Sequence, residues 1–374
     1  MDRRTFLIAG VAAAVAGARR ATAQPELARL PRAPSSFEPF AGLRDGKPIS
    51  ALTPEQMAQR VTDSPAPAGP AGRWATRAML PVPRSEMAWA TAWAARMHVI
   101  GGYGEGRVDR SYHHVYDPAV DRWFEAAPLP RGANHVAVAA AAGRVYAMGG
   151  FIEQNRNADT NAYAYDVATD RWRKIAPLTR PRGAAAAVAL NGRIHLIGGA
   201  SEPATERASV GWHEVYDPKT DRWSTLKPLP GARDHAGVVA FGGAIHLIGG
   251  RFNTFEYNTG LHHAYFVERN AWEVRAPLPT PRSGHGLVAY RNRLFAMGGE
   301  GGGVARGKIT DAKVFGQMES YDPATDSWQR HTPMPTPRHA VGAVTIGDWI
   351  HVAGGGAVTG GAIQSAVHEA FTLG

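Results

Sequence analysis

Six times along the 374-residue chain an apolar run ends in a Gly-Gly pair, at 101–102, 149–150, 198–199, 249–250, 298–299 and 354–355. Trp74, Trp123, Trp172, Trp223, Trp272 and Trp328 recur in phase, each 26 or 27 residues ahead of the next pair. An aromatic turn follows every pair: Tyr116-Asp117-Pro118, Tyr165-Asp166, Tyr216-Asp217-Pro218 and Tyr321-Asp322-Pro323, with Tyr265 and Phe371 in the same place elsewhere. Pairs spaced 48 to 56 residues apart mean one supersecondary unit repeated, each copy burying its apolar face against the next. The run Ile194-His195-Leu196-Ile197 before Gly198-Gly199 reads as a strand buried on both faces. The glycines allow a tight turn, Asp-Pro and its neighbours make a hairpin, and the tryptophan fills the space between units. With 43 Gly and 27 Pro, short strands and turns are favoured over long helices.

The Gly-Gly, Tyr-Asp and Trp positions together resemble the kelch repeat, over residues 73–374. The resemblance implies an all-β, six-bladed propeller of four-stranded blades round a central channel. Trp74 precedes any aromatic turn, and the run His368-Glu369-Ala370-Phe371 has no tryptophan after it. The N-terminal strand is therefore expected to close the last blade as its outer strand, removing an exposed edge. A monomer is expected.

Arg3-Arg4-Thr5-Phe6-Leu7 opens an Ala-rich apolar stretch to about Ala18, too short to span a bilayer, and Ala21-Thr22-Ala23 follows. Residues 1–23 thus resemble a twin-arginine signal peptide, implying a periplasmic or secreted protein without a membrane span after cleavage. Cleavage after Ala23 removes four arginines and Asp2, lowering the formal charge from +9 to +6. Residues 24–72 carry nine prolines and read as a tether with one short helix, Thr53 its N-cap and Pro54 its first residue.

The phase of the repeat also nominates a working face. Arg84, Arg182, Arg233, Arg282 and Arg338 lie ten residues after a tryptophan; Arg131 stands near the place where Ala133 occupies that position. His135, His235, His285 and His339 are close by. Guanidiniums converging at one channel mouth would favour an anionic guest, a small molecule or an acidic protein loop. Loops opening after the Gly-Gly pairs add Tyr103, Phe151, Arg251, Phe252, Glu202 and Glu300. The segment from Glu300 to Ser320, starting Glu300-Gly301-Gly302-Gly303, is a candidate lid.

His98, His195, His246 and His351 sit where Tyr146 and Phe295 stand in the other copies, which marks a packing slot. His113, His213, His262 and His368 form a second such set, and Glu214, Glu319 and Glu369 follow an adjoining position on opposite strand faces. A metal site would need loops to converge; no metal and no cofactor is assigned. The absence of cysteine excludes disulfides, thiolate nucleophiles and the copper-radical chemistry of galactose oxidase, another kelch enzyme. No phosphate loop, dinucleotide fingerprint or Gly-x-Ser-x-Gly elbow is present, and nothing points to nucleic acid. The expected function is an exported recognition propeller binding an anionic ligand or protein loop. The alternative is a sugar mutarotase similar to N-acetylneuraminate epimerases, which are exported kelch propellers. That chemistry needs only an acid/base pair and a carboxylate clamp.

Overall fold

The computed structural model describes residues 60–87, 90–201, 208–305 and 308–374. The signal segment, most of the tether and the helix at Thr53 lie outside them. The described residues form six four-stranded antiparallel sheets, and in five of them sequence order runs outward from an innermost strand. The first consists of Thr91–Trp93, Arg96–Ile100, His113–Asp117 and Arg122–Ala126. Gly342–Ile346, Trp349–Ala353 and His368–Thr372 form the last together with Arg73–Thr76, whose Trp74 pairs with Phe371. No helix among the described residues is long and apolar enough to cross a membrane.

The six innermost strands line one channel of about 250 Å³, walled by small and branched residues such as Ala139, Ala187, Val239, Val288 and Val344. Six strands converging on one axis leave room for little more than methyl groups, and this accounts for the Ala-rich innermost runs.

Neighbouring sheets are joined by a recurring clamp. Each of the six in-phase tryptophans donates its indole N–H to a carbonyl of the preceding blade at 2.7–3.0 Å, the acceptors being Thr332, Ala78, Ala127, Ala176, Lys227 and Ala276. Five of those acceptor residues also donate their own N–H to Asp121, Asp170, Asp221, Asn270 or Asp326, two positions before the tryptophan. The motif tyrosine donates its hydroxyl to the same oxygen, as Tyr165 does to Asp170 at 2.7 Å. These Asp and Asn residues turn the hairpin in the left-handed region (φ 44 to 54°), which short polar side chains tolerate best. One residue type thus makes the turn and holds the neighbouring sheet.

The histidines of the packing slot are paired. His98 Nδ1 lies 2.9 Å from His113 Nε2, and His113 Nδ1 lies 3.3 Å from the Ala127 carbonyl. His195–His213, His246–His262 and His351–His368 repeat the arrangement. A carbonyl can only accept, so the proton on each relay is placed: His98 donates to His113, which donates to Ala127. His113 also packs edge-on against Tyr165 of the next sheet, 4.6 Å between centroids.

Residues 60–72 differ from the expected end of a tether. Arg60–Val61 pairs in parallel with Val314 and Phe315. Pro67 accepts from the Arg330 N–H, Gly69 donates to Arg330 and Ala71 accepts from Thr332, so the segment lies along Ser327–His331, with an isolated parallel bridge between Ala68 and Arg330. The candidate lid is a hairpin, Glu300–Ala305 with Lys308–Phe315.

Burial drives the paired histidines to the neutral form, holding His98, His195, His246 and His351 at about 4 and His113, His213, His262 and His368 at about 3. Unfolding restores a value of about 6.5, so the unfolded chain binds more protons below that pH. Stability from these groups is complete above about pH 6.5 and is lost as pH falls toward 4. Calorimetry from pH 7.5 to 4.5 should show the melting temperature falling below pH 6.5, before most carboxylates titrate. A flat profile from 6.5 to 5 would contradict the neutral pairs.

Candidate functional site

The loops leading into the innermost strands carry three successive positions with different tasks. At the first sit the five in-phase arginines, all 0–1% exposed. This differs from the expected open ring. Each guanidinium turns into its own blade. Arg84 donates to the Gly101 and Tyr112 carbonyls and approaches His114 Nδ1 at 2.9 Å. Arg233 bonds Gly249, Leu247 and His263. Arg182, Arg282 and Arg338 form buried ion pairs with Glu214, Glu319 and Glu369. A charge that cannot reach water needs local acceptors, and the turn carbonyls plus one third-strand residue supply them. The partner was readable: blades with the arginine have His or Glu two residues before the motif aromatic, and the blade with Ala133 has Tyr163.

At the second position Ser85, Asn134, Gly183, Asp234, Ser283 and His339 bridge to the first residue after the Gly-Gly pair: Tyr103, Phe151, Ala200, Arg251, Glu300 and Gly356. At the third, Glu86, His135, Ala184, His235, Gly284 and Ala340 all have left-handed backbones (φ 47 to 62°). Each N–H donates to the preceding member's carbonyl, from His135→Glu86 (2.8 Å) through Ala184, His235 and Gly284 to Ala340→Gly284 (2.6 Å). Five bonds therefore link these residues around the channel axis.

Side chains from several blades meet on this ring. Glu86 Oε2 lies 2.9 Å from His135 Nε2. Asp234 accepts from Arg251 Nε at 3.0 Å and pairs with His235 Nδ1. Arg251 reaches Glu300 Oε1 at 3.0 Å and His235 Nε2 at 3.1 Å. His339 Nδ1 faces Glu86 Oε1 and Glu300 Oε2, each at 3.5 Å. All seven are at most 4% exposed. Burial alone would raise the Glu86 carboxyl, but His135 and His339 more than offset it and hold it below the usual range. Asp234 is likewise held low against its burial by Arg251 and His235. Burial lowers His235 to about 3, with Arg251 adding to the effect.

The remaining candidates fall in different places. Tyr103 and Phe151 are buried and meet the His135 ring edge-on. Phe252 is half-buried, and Glu202 lies outside the described residues. Arg131 is exposed and loosely paired with Glu153 at 3.4 Å. A shallow pocket of about 340 Å³ lined by Val108, Asp109, Glu153, Gln154 and Arg156 opens beside it. Asp109 accepts from Asn134 at 2.6 Å, and Asn134 contacts His135 Nδ1, so hydrogen bonds run from this pocket to the axis. The chain order had singled out Arg251, Glu300 and the histidines here but not Glu86 or Asp234. Their signal was phase: both stand in the two positions after the arginine.

A family profile described as the kelch motif matches residues 133–179, and one described as the KLHDC2/KLHL20/DRC7 kelch-repeats domain matches residues 184–369. The chain is a kelch-repeat protein. Among curated relatives, the kelch-like protein terF of Aspergillus terreus (strain NIH 2624 / FGSC A1156) is 30% identical over 163 residues, 43% of this chain. The match spans about a third (34%) of that relative's length. The solved structure titled "Structure of YjhT" superposes with a TM-score of 0.68 at 17% identity, covering 79% of this chain and 96% of that one. At that identity the likeness speaks for the kelch propeller fold alone.

The buried arginines set an expectation for mutation. Arg282→Ala leaves Glu319, itself 0% exposed, as an unpaired buried charge and should cost about 3–5 kcal/mol. Arg131→Ala, at an exposed pair, should stay within about 0.5 kcal/mol. Urea unfolding measures both; equal small effects would return the buried arginines to the list of ligand contacts.

Proposed function

We propose that this kelch propeller is a recognition protein whose ligand binds where the interstrand loops meet the channel axis. One observation carries the reading. Glu86, His135, Asp234, His235, Arg251, Glu300 and His339 are buried ionisable groups that the repeat does not need, because one blade has Gly183, Ala184 and Ala200 in the equivalent places. Buried charge is costly, and such clusters mark functional sites. Exposed Arg131 and Arg156 flank the pocket that joins this cluster. An anionic small molecule or acidic protein loop would meet them first. A thermal-shift screen of acidic sugars and short acidic peptides should yield a ligand, and Arg131→Ala with Arg156→Ala should weaken it about tenfold or more. A ligand bound equally well by the double variant would overturn this placement.

A sugar mutarotase is the second reading, favoured by the carboxylate–imidazole pairs Glu86–His135 and Asp234–His235, which supply proton donors and acceptors. It requires that the protein accelerate anomer exchange of the bound sugar, read by magnetisation transfer; binding without exchange leaves the recognition reading standing.

We infer from the Arg3-Arg4 segment that the protein is exported folded. Cell fractionation of a chain with Arg3→Lys and Arg4→Lys should find it in the cytoplasm; normal delivery would contradict the export route.

A further inference from the structure

We propose that Glu86, Glu300 and His339 form a binding site for one divalent transition-metal ion, with zinc the best fit. These three offer ligand atoms within 4.8 Å of one another, and all three side chains are buried. The site is independent of the ligand proposed above: the metal can bind whether or not any sugar or peptide does.

The orientation of His339 carries the argument. Its Nε2 lies 2.8 Å from the Val358 carbonyl, which can only accept, and 3.3 Å from the Gly361 N–H, which can only donate; the closer contact is to the carbonyl and places the hydrogen on Nε2. Nδ1 is then left to present its lone pair, and it is buried without a hydrogen-bond partner. It faces two carboxylate oxygens, each at 3.5 Å, beyond the roughly 2.7–3.2 Å of an N–H···O bond. A tetrahedral ion bound at about 2.0–2.2 Å sets its ligand atoms about 3.3–3.6 Å apart. The separation that is too long for a hydrogen bond is thus the one a shared cation needs.

The surroundings fit the same reading. Metal-binding histidines usually donate the other ring N–H to a carbonyl or carboxylate, fixing the ring, as His339 does to Val358. Glu300 is fixed through Oε1 by Arg251, and its Oε2, the oxygen facing His339, also accepts the Gly360 N–H at 2.8 Å. Glu86 is fixed through Oε2 by His135. Each carboxylate is thereby aimed, with one oxygen turned to His339. Arg251 ion-pairs with Asp234 and Glu300, while Glu86 meets the imidazoles of His135 and His339, so three buried carboxylates outnumber one guanidinium. A divalent cation offsets that excess. Gly361 leaves the approach open, since a side chain there would begin 2.9 Å from the Glu86 carboxyl. Two carboxylates with one imidazole suit zinc among the divalent first-row ions, and three protein ligands leave a coordination position open.

The test uses untagged full-length protein, stripped with chelator and dialysed. Titration with zinc, with manganese and magnesium in parallel, should give one equivalent of tightly bound zinc by calorimetry and elemental analysis. Cobalt in its place should give the visible absorption of a low-coordinate site. Glu86→Gln and His339→Gln should each lower zinc affinity at least about 100-fold, and Glu214→Gln, in a buried pair away from the axis, should leave it unchanged. Failure of the stripped wild type to take up any of the three ions overturns the proposal. Uptake that survives both ligand substitutions also overturns it. Should either variant fail to fold, the wild-type stoichiometry and cobalt spectrum still decide the matter.

Discussion

Everything in this propeller hangs on a hydrogen bond between side chain and main chain across each blade boundary. An indole N–H takes the carbonyl of one residue on the preceding blade, and the Asp or Asn two positions earlier takes that residue's N–H in five of the six cases. Each bond nets about 0.5–1.5 kcal/mol when made and costs about 1–3 when a partner is left buried and unpaired. The penalty fixes the angle between blades more firmly than apolar packing, which has no direction. In four blades the clamped carbonyl has its second lone pair filled by a neutral histidine. Proton uptake by these relays would therefore loosen the same joints that the tryptophans hold.

Inside a blade, the arginine does comparable work. It ties the Gly-Gly turn to the third strand, most plainly in Arg282, which bonds the Gly298 and Ala296 carbonyls and pairs with Glu319. Tryptophan, aspartate and arginine thus serve three different joints of one unit, and their regular recurrence is the regularity of the fold. Residues that break the recurrence carry the specificity. Blade three runs Gly183, Ala184 and Ala200 where blade four has Asp234, His235 and Arg251.

The repeat, its strand order and the pairing of Trp74 with Phe371 were legible in the chain because Gly-Gly, Tyr-Asp and Trp each answer a local backbone or packing demand. The clamp was not, since its acceptor is a main-chain group: Ala78, Lys227 and Thr332 do the same job with unlike side chains. Phase placed the arginines correctly on one end of the blades, yet charge suggested a surface role that their buried partners rule out. Glu86 and Asp234 escaped notice because nothing local marks them. They become a site only when loops from separate blades, up to 253 residues apart in the case of Glu86 and His339, are brought to one axis.

The repeat supplies the fold, and the ionisable groups on the axis are held against its interest. Giving the axis the residues of blade three, with Asp234→Gly, His235→Ala, Arg251→Ala and Glu300→Ala together, removes four of its seven ionisable groups in one step. Urea unfolding of this variant against the metal-free wild type should show one cooperative transition within about 1 kcal/mol of the parent or above it, as replacement of buried ion pairs often does. A loss of several kcal/mol, or a split transition, would mean that the cluster holds the blades together and that its charges are structural.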